Sequence, residues 1–586
     1  MLGLIVGVLG GVLSVDAADL PYVYDRGAKN QTGLKASDVC LSCRMPHRDH
    51  PAREAVEAWR PTRVEWSYIN DPGFIRFVNE HGALFVGTLN TLGGEGPEYD
   101  AERFDGTRMV APWMTGFNDR GGPGWNTVNK PKTLEWQLDA LRAFAEQGVY
   151  TFQHDDWAFN LSSYSWGGGD FSAASLTQFA QYLGEHANEA QRQAAGVASW
   201  DGFDYRVYLK DRFGWTTEDE LRKRRGEDPL NGHWCRFHLH SSRAYFERLL
   251  TEGARMAGRP LHLTVNAHLN NPASFFLLDR VDYMMGETDI APEFDPAPLV
   301  CMMKLADALA VPQVVSPRPR GELNVRSVRQ AIALTYALGH RMLIPWDVWA
   351  GPDRPRWFGT LEEYGDLYDF IRGHTELLDG YRPYAEVALV VSLSYDPKVY
   401  AESRGLAQAV DAALRSRGIP SRYAAAGEVA GLIRVPLDAT DFEGVQAVAV
   451  CGGTGRWAGE DIEALDAVER EGVLLRHEDL DPVLAALQDV LDEGAVQVDG
   501  GQVWALPRVS RAHRSAPLVV HLVNLGEPSG ELHVSVADRV LGGRQPRSAA
   551  LYAPGDPPQQ VAASSGGGPA QFTVPGVDVW AVLAIE

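Results

Sequence analysis

The sequence predicts a mixed α/β protein: a (β/α)8 TIM barrel, then a flavodoxin-like α/β domain, then a small C-terminal β-sandwich. Three observations predict it. Between residue 63 and about 350, short apolar strands alternate with helical segments, the rhythm of parallel strands joined by crossover helices. From 387 the fully apolar run VALVVSLS opens a second strand–helix series, as in doubly wound sheets. Beyond about 495 only short alternating strands remain, which suits an antiparallel sandwich.

Taken in order, residues 2–14 are apolar and are followed by Val15-Asp16-Ala17. Residues 1–18 therefore read as a signal peptide and the chain as secreted or periplasmic. The run is too short to span a bilayer, and no other membrane span is expected. The segment CLSCRMPHRDH holds Cys40, Cys43, His47 and His50. It reads as a loop with free thiols, with zinc ligation as the alternative. The barrel is expected over 19–380, with strands at 63–68, 83–90, 108–112, 149–154, 261–268, 281–287, 312–316 and 342–347. An insertion over 157–240 begins with the Gly/Ser-rich SSYSWGGGDFS and should lie over the barrel mouth. The flavodoxin-like domain is expected over 385–490. Its CGGTG (451–455) lacks both GxGxxG and the lysine of a phosphate loop, so it reads as a turn. The sandwich is expected over 495–586.

The formal net charge of the 586 residues is −23, which excludes nucleic acid as an expected partner. Sixteen Trp and twenty Tyr supply candidate platforms for sugar rings, although most must fill the core. Five Cys make no disulfide framework in a chain of this length.

The order of domains, the segments FDYRVYLKDRFGWTTEDELRKRRG (203–226) and WCRFHLHSSRAYFERLL (234–250), and the junction HTELLDGYRPYAEVALVVS (374–392) resemble the glycoside hydrolase family 42 β-galactosidases. The resemblance implies a carbohydrate substrate and a homo-oligomer, trimer or dimer, through the amidotransferase-like middle domain. Two departures stand out. Where the family carries Asn-Glu after the fourth strand, with the Glu as acid/base, this chain has Asp155-Asp156. Where its nucleophilic Glu follows the seventh strand, this chain reads VVSPRPRGE, with no carboxylate before Glu322. The family's catalytic pair is not carried over.

Glycoside hydrolysis needs two carboxyl groups, about 5–5.5 Å apart for retention and roughly 6.5–9.5 Å apart for inversion. At the expected strand ends the supply is Asp155, Asp156, Glu287 and Asp347, with Glu65 a weaker candidate. In a barrel those ends share one face, where active sites are built. Adjacent Asp155 and Asp156 raise one another's proton affinity, which suits a general acid. Glu287 or Asp347 stands as base or nucleophile. Trp66, His154, Trp157, Asn266, His268, Arg318 and Trp346 are the expected substrate contacts. Asp155, Asp156, His154 and His268 are a weaker alternative as ligands for a divalent cation. No cofactor and no metal are expected. The reading is a glycosidase of unknown sugar specificity, with a polysaccharide lyase or a non-catalytic carbohydrate-binding protein as rivals.

Overall fold

The computed structural model describes residues 20–586 apart from 45–50, 119–120, 271–274, 350–355, 454–456, 472, 478–479, 491–493, 500–501, 513–515, 547 and 565–567. The expected signal peptide and His47 and His50 lie outside the described residues.

Eight parallel strand positions form the first unit. They are Cys40–Cys43, Arg63–Ser67, Leu84–Phe85 continued by Gly87–Asn90, Thr151–Asp155, His262–Asn266, Val281–Ile290, Gln313–Pro319 and Arg341–Met342. Each pairs with its neighbour in sequence order. Across the remaining gap, Ile344 N donates to Cys40 O at 2.8 Å, which joins the last strand to the first. The ring is therefore of the (β/α)8 type.

Two sequence expectations are corrected. Residues 108–112 form no strand; they lie in the loop after the third strand, before a short 3-10 turn at Pro112–Met114. The missing strand is Cys40–Cys43, expected to be a loop. Its position shows why the CxxC pair is no metal site. Side chains three apart on a strand point to opposite faces. Cys40 packs inside the ring with Tyr283, Met285 and Val314, and Cys43 packs outside it with the helix residues Ala55 and Val56. The fourth, fifth, sixth and seventh expected strands keep their ordinal places, because one false strand was exchanged for one missed.

Helices cover the ring where their sequence permits it. Pro72–Glu80 is capped by Asp71, Val325–Ala337 by Asn324 and Leu361–Gly373 by a Thr360–Glu363 capping box. Between the fifth and sixth strands no helix is formed among the described residues. Two glycines set the packing distance. A Cβ at Gly87 would meet the Phe144 ring at 2.7 Å, and one at Gly286 would meet Ala267 O at 2.6 Å. The sixth strand thus lies hard against the end of the fifth, one residue before Glu287.

A six-stranded, mostly parallel sheet follows, built on Val387–Leu393 with Ser421–Val429 on one side and Ala447–Cys451 on the other. Its far edge is completed by Tyr22–Val23, from before the barrel, which pairs with Ile433 and Arg434. The last unit is a single curled antiparallel sheet of nine strands with its own apolar core, rather than the two separate sheets of a sandwich. Tyr381–Pro383 forms one edge of this sheet. Among the described residues no helix is long and apolar enough to cross a membrane.

Candidate active site

All eight strand ends converge on one face of the ring, and Asp155 lies at the centre of the contacts there. It is the last residue of the fourth strand and alternates with His154. Alternation sends Gln153 and Asp155 inward and His154 outward. Asn266 Nδ2, from the end of the fifth strand, donates to Asp155 Oδ1 at 2.6 Å. Onto Oδ2 come the Tyr68 hydroxyl, Trp66 Nε1 at 3.3 Å and Asn90 Nδ2 at 3.5 Å. An ionised carboxylate is acceptor-only, and every side-chain group on Asp155 is a donor. This network fixes its orientation from the second, third and fifth strands at once.

Asp156 follows with a left-handed backbone, φ 50°, which a non-glycine residue adopts at a cost. Its carbonyl is held by Thr91 Oγ1 at 2.6 Å. No hydrogen bond to its carboxyl group is recorded among the described residues. Burial first, then the charges of Asp155 and Glu287, push this carboxyl well above the usual range. Left-handed residues also occur near the end of the second strand, at Trp66 (φ 49°), and beyond the eighth, at Asp347 (φ 53°).

Across the mouth, Glu287 on the sixth strand is gripped by two guanidinium groups, Arg44 Nη1 at 2.8 Å and Arg318 Nη1 at 3.5 Å. Arg44 also donates to Ser316 Oγ at 2.6 Å and lies flat over the Trp66 ring at 3.5 Å. It thereby links the seventh strand, the sixth strand and the indole that touches Asp155. Arg318 is shared with Asp289 at 2.5 Å.

The remaining expected residues fall in three places. Asp347 has no exposed surface. Its Oδ2 accepts the Arg44 backbone N–H at 2.6 Å and its Oδ1 lies 3.5 Å from Arg356. It anchors the first strand's end. His154 and Trp157 are packed in the protein, not in the mouth. His154 bonds Gln137 at 3.0 Å and the Asp155 carbonyl, and burial lowers its pKa to about 3, so it is a neutral core residue. Trp157 packs on Phe275 and Phe276. Trp346 is nearly buried against Phe358, at 5.4 Å. His268 is half-buried at the end of the fifth strand, its pKa lowered to about 4 by burial and by Arg318. Glu65 is buried inside the ring on Arg63 and Tyr283. With His154 turned outward, the cation alternative loses a ligand. No group of three or more His, Cys, Asp or Glu with metal-holding geometry exists among the described residues.

Sequence reasoning missed Arg44, Tyr68 and the role of Asn90. Tyr68 and Asn90 stand at expected strand ends, where polar residues carry that signal. Arg44 carried none, because its strand was not recognised.

Fold and site together define a (β/α)8-type protein with three carboxylates at the mouth. No known family profile matches the chain. It is 25% identical over 440 residues to an α-agarase of Alteromonas agarilytica, covering 71% of this chain and 30% of that protein. It is 23% identical over 372 residues to an α-agarase of Thalassotalea agarivorans, covering 61% of this chain and 25% of that one. The chain thus spans less than a third of the length of the curated relatives it matches. Among solved structures, an α-L-fucosidase from Paenibacillus thiaminolyticus matches with TM-score 0.61 at 12% identity, covering 94% of this chain and all of that one. A β-galactosidase from Bacillus circulans sp. alkalophilus matches with TM-score 0.63 at 10% identity, covering 95% of this chain and all of that one. At these identities the likeness establishes the fold.

Proposed function

We propose that the chain is a glycoside hydrolase that cleaves a polysaccharide by carboxylate acid/base catalysis. Asp156 is the proton donor and Glu287 is the carboxyl group that faces it across the mouth. The observation that carries the reading is the Asp156 carboxyl: among the described residues it accepts no hydrogen bond, and burial, then the charges of Asp155 and Glu287, push its pKa well above the usual range. A carboxyl held above the usual range in a site of several carboxylates is a mark of a catalytic acid. Arg44 and Arg318 hold Glu287 in place, and its role is base or nucleophile. Asp347 is a positioning residue.

A second reading has Asp155 as the charged partner, favoured by its inward direction and its donor network. Trp66, buried beneath Arg44 with its Nε1 on Asp155, is then a positioning residue rather than a sugar contact, and Asn266 orients Asp155. Agar is the first polymer to test, because the curated relatives are α-agarases. The domain scheme is part of the proposal: a catalytic barrel, a flavodoxin-like unit able to self-associate, and a β-unit, in a secreted protein.

The test is digestion of agar and aryl glycosides in heavy-oxygen water. New reducing ends carrying solvent oxygen are expected. An unsaturated product absorbing in the ultraviolet would replace hydrolysis with lyase chemistry. Binding without turnover would leave only a carbohydrate-binding protein.

A further inference from the structure

The hydrogen bonds that end on Asp155 Oδ2 have a direction that can be worked out from end to end. Among the described residues the Tyr68 hydroxyl oxygen meets two groups, Asn90 Nδ2 at 3.0 Å and Asp155 Oδ2. A backbone N–H can only donate, and Leu92 N lies 2.8 Å from Asn90 Oδ1. That end of the Asn90 amide is therefore the oxygen, and the NH2 end faces Tyr68 and donates to it. A phenol has one proton, and its remaining neighbour is the Asp155 carboxyl group. The chain thus runs one way, from Leu92 N–H through Asn90 and Tyr68 to Asp155. Hydrogen bonds in series polarise one another, so Asn90 strengthens the bond that Tyr68 makes. Burial, and after it Asp155, push the phenol well above its usual range, so this donor keeps its proton.

Both members of the chain are anchored from behind. Tyr68 N donates to Cys43 O of the first strand at 3.2 Å. Asn90 lies beside Asp155 in the sheet register, and its carbonyl accepts from Gln137 Nε2 at 3.3 Å. On the carboxyl group itself, Oδ1 is pinned by Asn266 Nδ2 at 2.6 Å and by Asp156 N at 2.9 Å. On Oδ2 the Tyr68 bond is the close one. Trp66 Nε1 at 3.3 Å and Asn90 Nδ2 at 3.5 Å lie beyond the common range of about 2.7–3.2 Å. With Oδ1 fixed, the bond to Oδ2 sets the tilt of the carboxyl plane. We infer that Tyr68, aimed by Asn90, is a positioning residue that holds the Asp155 carboxyl group for glycoside cleavage. The inference rests on the glycosidase reading in its second form, with Asp155 as the charged partner.

The experiment is a double-variant cycle on wild type, Tyr68→Phe, Asn90→Ala and the two combined. Two readouts are taken: kcat and KM on agarose and on activated aryl glycosides, and the thermal unfolding midpoint. Tyr68→Phe keeps the ring and removes only the hydroxyl. It should lower kcat roughly 10–100-fold on both kinds of substrate, the scale of a misplaced reacting group, with KM unchanged. A merely structural role would not divide kcat from KM in this way. Asn90→Ala should cost less, and its effect on kcat should shrink once Tyr68 is Phe, because Asn90 acts through the hydroxyl. Tyr68→Phe with the kcat of wild type, or losses that multiply in the double variant, would overturn the inference. Wild type that cleaves no glycoside would retire the glycosidase reading instead. The unfolding midpoints then decide on the relay: a smaller Asn90→Ala effect in the Tyr68→Phe background supports it, and additive effects overturn it.

Discussion

Asp156 concentrates three unfavourable conditions in one residue: a left-handed backbone, a carboxyl without a hydrogen-bond partner among the described residues, and two like charges nearby. A raised carboxyl pKa means the folded state binds more protons than the unfolded one. The penalty is absent below about pH 4 and grows as pH rises toward the folded value. Asp156→Asn should therefore melt several degrees above wild type at pH 7 and level with it near pH 4, read by thermal unfolding at the two values. The same variant should lose about 10²–10⁴ in kcat on unactivated glycosides. It should lose much less on aryl glycosides whose leaving group needs no proton, and its rate should no longer fall with rising pH. Glu287→Gln and Asp155→Asn separate the two candidates for the charged role. The true partner loses turnover on every substrate, including activated ones. The other loses mainly affinity, read as KM.

At the scale of the element, strand ends explain both what could be read and what could not. Alternation along Thr151–Asp155 places Asp155 inward and His154 outward, so the error over His154 was avoidable from the sequence alone. Asn266 was legible for the same reason. Asp347 was not: nothing in IPWDVW announces that its carboxylate is fully covered and spent on a backbone N–H. Arg44 was hidden because CLSC, four residues with two thiols, reads as a ligand pair more readily than as a strand. Its importance is chiefly geometric. Removing one partner of a buried ion pair leaves the other charge unpaired, at about 3 kcal/mol. Arg44→Met should therefore lower stability by about that much and raise KM through a misplaced Glu287. Arg44→Lys should recover the stability only in part, because an ammonium cannot reach Glu287 and Ser316 while lying on Trp66. Denaturant melts and steady-state kinetics on the pair of variants check this.

On the scale of the whole molecule, the three sheets are stitched through buried polar contacts. Lys304, on the barrel helix Ala297–Ala308, donates to Asp411 and to Ser421 O of the six-stranded unit. Arg508, in the nine-stranded sheet, reaches Ala337 O and Tyr381 O, and Arg326 reaches Gly526 O. The segment before the barrel takes part as well: Tyr22–Val23 joins the six-stranded sheet, while Lys29 bonds Leu278 O and Val281 O under the ring. A chain ended at residue 380 would strip the cover from these helices. It should be recovered as aggregate, whereas the full chain stays monodisperse by size-exclusion chromatography. Lys304→Met, which leaves Asp411 with only Arg415 and the Ser421 hydroxyl and cuts its link to the barrel helix, should split the single thermal transition into two.

The bond from Ile344 to Cys40, together with that from Ser42 to Trp346 across 304 residues of sequence, has a kinetic meaning. Every other strand pair in the ring joins neighbours along the chain and can form early. This last seam fixes the Arg44 backbone through Asp347, and Arg44 in turn bonds Glu287. Turnover is thus the late signal of refolding: it should rise after helical and strand content has already recovered, and the interval between the two is the time the ring takes to close.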